Sequence, residues 1–167
     1  MDASEFAQAA EHAENARQLG EEVYPDDAKL RATLAWNHGY ALSKAYFKIR
    51  AYETLKEART LMSQAFGRDY EHLVQVETLL LNNAPEAAAR RHLSQLLKLA
   101  RRHYAEDSDL MAGLKLMAGS QVWWDPRAKG LLGEAAETFA RLGQPVRQAQ
   151  AEFWIGKIQF GRDKFRD

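Results

Sequence analysis

Ala16-Arg17-Gln18-Leu19 returns 42 residues later as Ala58-Arg59-Thr60-Leu61, and the match continues in register. Val23-Tyr24 aligns with Ala65-Phe66, and Asp27 with Asp69. Ala100-Arg101 stands a further 42 residues on, and Ala140-Arg141 another 40 beyond that. Tyr24, Phe66 and Tyr104 are each followed three residues later by an aspartate: Asp27, Asp69 or Asp107. A period near 40, long enough for two helices, marks a helical repeat protein, in which each unit buries its apolar face against its neighbours.

The residues inside the period favour helix throughout. Ala, Leu, Gln, Glu, Lys and Arg dominate, and alternating runs of Val, Ile or Thr are missing. Breakers fall where helices should end and begin: Tyr24-Pro25-Asp26-Asp27, Gly67 before Asp69, Asn82-Asn83-Ala84-Pro85, Asp125-Pro126 and Gly143-Gln144-Pro145. The predicted helices span 3–23, 27–45, 48–66, 70–82, 85–104, 108–122, 126–142 and 145–160. Their connections are short, so consecutive helices should form antiparallel hairpins. The expectation is an all-α fold of about eight helices in a single domain, 1–167. A leading helix, 3–23, precedes repeats at 27–66, 70–104 and 108–142 and a partial one at 145–167.

Within 33–63 stand the small residues Gly39, Ala51 and Ala58 and the large apolar residues Leu42 and Leu55. This pattern resembles the tetratricopeptide repeat, with Gly39, Ala51 and Ala58 at its small positions. Ala35 stands where that family usually has tryptophan, Lys48 where it has an aromatic, and Ser63 where it has the closing proline. Ala89, Leu93 and Leu96, then Leu131, Ala135 and Thr138, match second-helix positions more loosely. Ile155-Gly156 resembles the Leu-Gly pair of a further first helix, whose partner would begin near Phe165. The long period is similar to that of kinesin-light-chain repeats. The resemblance implies a right-handed α-solenoid with a concave wall lined by the first helix of each repeat.

Composition narrows the function. The chain has 167 residues, 23 Lys+Arg against 23 Asp+Glu, 46% hydrophobic residues and no cysteine. The missing cysteine removes thiolate catalysis and any sulfur-ligated metal. Zero net charge gives no general attraction to nucleic acid or a membrane. No stretch nears the roughly 18 apolar residues of a membrane span. The start, Met1-Asp2-Ala3-Ser4-Glu5, is acidic where a signal peptide is basic, which points to a cytoplasmic protein. No phosphate-cradling glycine loop and no Gly-x-Ser-x-Gly elbow occurs, and Gly119-Ser120 reads as a close packing contact. Among His12, His38, His72, His92 and His103, none has a second histidine at i+3 or i+4, so no zinc site is expected. His38 reads as a structural ring satisfied by one hydrogen-bond partner. Paired carboxylates such as Glu21-Glu22 and Asp26-Asp27 sit at helix ends, where capping and the macrodipole account for them. No catalytic residue, cofactor or metal is nominated, and a non-enzyme is expected.

Helix 85–104 carries net +4, from Arg90, Arg91, Lys98, Arg101 and Arg102 against Glu86, while residues 1–30 carry −6. Leu93, Leu96, Leu97 and Ala100 form an apolar stripe beside those cations, so the charges read first as a solvated face. Nucleic-acid binding is the weaker alternative, and contact between the acidic start of one molecule and the basic helix of another is a third.

If the tetratricopeptide register holds, the concave positions are Thr33, Trp36, Asn37, Tyr40, Ser43 and Lys44, with Leu34, Ala41, Leu42 and Ala45 turned to the core. Looser registers add Val74, Thr78 and Asn82, then Leu116, Ser120, Trp123 and Trp124, then Phe153 and Lys157. Trp123 and Trp124 point in different directions on any helix, so at most one belongs to each role, groove or core, whereas Trp154 and Phe160 read as core. Trp36 and Tyr40 replace the Lys and Asn with which some tetratricopeptide domains clamp a terminal carboxylate. The expected partner is therefore an apolar or aromatic-rich peptide or protein segment. Self-association through the terminal helices is the alternative.

Overall fold

The structure, a computed structural model, describes residues 3–163. Among them it holds eight α-helices and no strand. In chain order these are α1 (Ala3–Val23), α2 (Ala28–Lys44), α3 (Lys48–Phe66), α4 (His72–Asn83), α5 (Glu86–His103), α6 (Asp109–Gln121), α7 (Ala128–Arg141) and α8 (Pro145–Asp163). Every predicted boundary lies within three residues of the observed one. The second helix of the last repeat, expected near Phe165, lies outside the described residues. Among those residues no helix is long and apolar enough to cross a membrane.

Turn chemistry sets these boundaries. Asp27 accepts from the Leu30 N–H at 2.9 Å and caps α2, and Ser108 accepts from the Met111 N–H at 3.2 Å and caps α6. Each bond satisfies an amide that the first helical turn leaves without a partner. Gly67 and Gly143 close α3 and α7 at φ 92° and 66°, in the left-handed region that a residue without Cβ enters at no cost. Asp125 Oδ1 accepts from the Arg127 N–H at 2.9 Å, and α7 begins two residues later than predicted.

The chain gathers into two compact units that divide at Leu99/Ala100, inside α5. In the first, α1 packs on α2, α2 on α3 and α3 on α4, and α2 also touches α4. Side-chain ties there span lengths close to the sequence period. Arg17–Glu57, Ser43–Asn83 and Tyr52–His92 each join residues 40 apart, and Glu14–Arg50 residues 36 apart. In the second unit α6 packs on α7 and α7 on α8, while Arg147 of α8 pairs with Asp109 of α6, 38 residues earlier. Within each unit, a helix is tied to the next but one.

Small residues permit these approaches. A Cβ on Gly39 would sit 2.8 Å from both Cγ and Cδ2 of Leu55, and Leu55, Ala51 and Ala58 are wholly buried. Gly119 of α6 meets Leu132 of α7 in the same way, with its would-be Cβ 2.7 Å from Leu132 Cγ. Gly39→Leu is therefore expected to destabilise by about 1–3 kcal/mol, because fully buried Leu55 would have to shift within a close-packed interior. Urea unfolding checks this, and an unchanged midpoint would rule out close packing of α2 on α3.

Candidate functional site

Four-residue spacing places Trp36, Tyr40 and Lys44 along one side of α2. The two rings lie 5.9 Å apart at a tilt of 45°, and the Lys44 Nζ sits 5.5 Å from the Tyr40 centroid. Thr33, Asn37, Tyr40 and Lys44 are exposed and Trp36 is half-buried. Ala32, Ala35, Ala41, Leu42 and Ala45 supply the buried side of the helix, while Leu34, expected among them, is half-buried. The aromatic ladder is thus a surface feature of a helix whose core contacts are already made.

Neighbouring α4 contributes less than the sequence suggests. Asn83 donates to Ser43 Oγ at 2.8 Å and to the Leu79 carbonyl at 2.7 Å, fastening α4 to α2. The Thr78 hydroxyl turns to the Val74 carbonyl at 2.8 Å, and Asn82 is half-buried with its side-chain oxygen enclosed and unpartnered. Val74 is buried and belongs to the core rather than to a groove, since it shares the α4 stripe with Leu73, Leu80 and Leu81.

In the second unit, Trp123 is exposed and Trp124 half-buried, and both lie in the connection after α6 rather than on a helix. Leu116 packs on the cluster of Ala112, Ala135, Ala136, Phe139 and Ala151, which makes it core. On α8, Phe153 is 63% exposed and Lys157 Nζ lies 5.7 Å from its ring and 4.6 Å from that of half-buried Trp154. Phe160 is 66% exposed, which corrects its assignment to the core. Ala151 and Ile158 mark the buried side of α8, and Phe160 stands about 200° round the helix from Ile158. The cations of α5 are exposed while Leu93, Leu96 and Ala100 are buried, an amphipathic division.

A polar chain through the first unit was missed in the sequence reading. Glu77 of α4, with no exposed surface, accepts from Arg59 Nε of α3 through Oε1. Its Oε2 lies 2.8 Å from His92 Nδ1 of α5. His92 Nε2 in turn lies 3.1 Å from the Tyr52 hydroxyl of α3, with the two rings edge to face. Hydroxyl, imidazole and carboxylate in sequence can relay a proton, yet all three side chains are buried. The missed signal is Glu77 itself, a carboxylate among Leu73, Val74, Val76, Leu80 and Leu81.

His38 corrects another expectation. It is buried on α2, and neither ring nitrogen has a hydrogen-bond partner. Burial pushes its pKa below the ordinary histidine value; Glu14 and Glu57 pull it up, and Arg17 and Arg50 push it further down. Those four residues are the Arg17–Glu57 and Arg50–Glu14 pairs that join α1 to α3. Elsewhere buried charge is matched: Lys115 meets Glu134 at 2.8 Å and Glu106 at 3.2 Å, and Asp125 meets Arg127 at 2.9 Å. Among the described residues, no group of three or more His, Asp or Glu could hold a metal ion. No family model matches the chain, and no curated protein or solved structure matches it.

Proposed function

We propose that the protein is a non-enzymatic, tetratricopeptide-like scaffold that holds a peptide or protein segment against the α2 face of its first unit. The observation that carries this reading is the Trp36–Tyr40–Lys44 ladder, left outside a core that the opposite side of α2 completes. Aromatic faces beside a cation suit an apolar or aromatic-rich segment that brings a carbonyl or carboxylate to Lys44. The ties between helices 36–40 residues apart support the repeat register on which the groove depends. Burial of Tyr52, His92 and Glu77 away from solvent supports a structural rather than a catalytic use of that chain.

Trp36→Ala combined with Tyr40→Ala is expected to leave helix content and melting temperature nearly intact while lowering affinity for a selected aromatic peptide at least tenfold. Peptide-display selection followed by calorimetry measures the affinity, and circular dichroism the fold. A large loss of stability would place both rings in the core and end the proposal.

Self-association is the second reading. Val146, Phe153 and Phe160 recur every seven residues on α8, all more than 60% exposed, and an apolar stripe of that kind invites cover. Sedimentation across concentration and salt separates the readings: a monomer at tens of micromolar argues against this one.

A further inference from the structure

The first unit contains a cavity of about 410 Å³ lined by Arg59, Thr60, Ser63, Gln64 and Arg68. Thr60, Gln64 and Arg68 are exposed and Arg59 and Ser63 half-buried, so it is a concavity open to solvent. All five lining residues are polar, two are cationic and none is a carboxylate. Helical spacing brings the first four together on one side of α3. Gly67, at φ 92°, then turns the chain so that Arg68 completes the wall.

The two guanidinium groups are held differently. Arg59 gives its Nε to buried Glu77, with which its charge is paired, and its side chain lines the cavity. Arg68 is exposed and makes no ion pair within 4.0 Å among the described residues, with Asp69 as its chain neighbour. One full positive charge outweighs the roughly half negative charge that the end of α3 presents. The hydroxyls are oriented too. Thr60 donates to the Lys56 carbonyl at 3.1 Å and Ser63 to the Arg59 carbonyl at 2.8 Å, so the lone pairs of both oxygens remain to accept. Cationic forks beside hydroxyl acceptors match a ligand that carries an anionic group and O–H donors on the same small frame.

We propose that this cavity binds a phosphomonoester that bears free hydroxyl groups, with the phosphoryl oxygens on Arg59 and Arg68 and the ligand hydroxyls donating to Thr60 and Ser63. The site shares no residue with the α2 ladder, and neither proposal depends on the other.

Titration of the full chain with glycerol 3-phosphate, inorganic phosphate and glycerol at matched ionic strength, followed by backbone amide shifts, tests it. Glycerol 3-phosphate should give a saturable one-site response centred on residues 59–68, and phosphate a weaker one at the same place. Arg68→Gln, at an exposed position, should weaken both about tenfold or more with the melting temperature unchanged. Thr60→Val with Ser63→Ala should weaken glycerol 3-phosphate while sparing phosphate. Shifts spread over Arg90, Arg91 and Arg102, or an affinity indifferent to Arg68→Gln, would overturn the site. Phosphate binding as tightly as glycerol 3-phosphate would overturn the hydroxyl recognition.

Discussion

Glu77→Leu is expected to destabilise the protein by about 2–4 kcal/mol, because it strands His92 in the interior without its carboxylate partner. Glu77 has no exposed surface and His92 only 2%, so neither can turn to water. Arg59 is more exposed and can swing outward, which keeps the loss below that of a fully enclosed pair. Removing one member is costly, whereas replacing the polar chain together by apolar residues of similar volume has a different sign. Arg59→Met, Glu77→Leu, His92→Leu and Tyr52→Phe combined should recover most of the loss. Urea unfolding at constant slope measures both variants. A Glu77→Leu variant within about 0.5 kcal/mol of the parent would show that the chain contributes nothing to the fold, since that is the ordinary scatter of surface substitutions.

The opposite sign is expected at His38. His38→Leu should stabilise by about 1–2 kcal/mol at pH 8, since it removes a buried ring with no hydrogen bond and retains apolar volume. The pH dependence provides a second reading of the same group. Because its folded pKa lies below the unfolded value, the unfolded chain takes up the proton first as the solution is acidified. Stability is therefore held above about pH 6.5, falls as pH drops from there towards the folded value, and levels off beneath it. His38→Leu should lack this component of the acid slope while keeping the carboxylate component. Equal slopes between pH 7 and 5 in the two proteins would mean that His38 titrates normally. Glu14 and Glu57 favour the imidazolium and Arg17 and Arg50 oppose it, so breaking either inter-helix pair should shift the window.

Helix boundaries were legible in the sequence because their causes are local. Asp27 caps and Gly67 and Gly143 turn the chain whatever lies elsewhere. The buried side of α2 was legible for the same reason, since Ala41, Leu42 and Ala45 share one face. What is read from a single helix failed where two meet. Phe160 is as apolar as Phe139, yet Phe139 is fully buried and Phe160 is 66% exposed, and nothing within α8 alone says which side its packed helix takes. The chain from Tyr52 to Glu77 was hidden because its members come from three helices. Its longest step, from Tyr52 to His92, nevertheless spans 40 residues, close to the repeat offsets of 40–42. The α2 ladder was legible as a face, whereas the cavity at Arg59 and Arg68 was not, since it depends on where the chain goes after Gly67.

The inter-helix ties described above reach no more than 40 residues along the chain. Each can therefore close as soon as the helix two places later has emerged from the ribosome, with no wait for a distant segment. Loop-closure entropy stays small and early segments gain cover while later ones are still being made, conditions under which helical chains reach their native state within milliseconds.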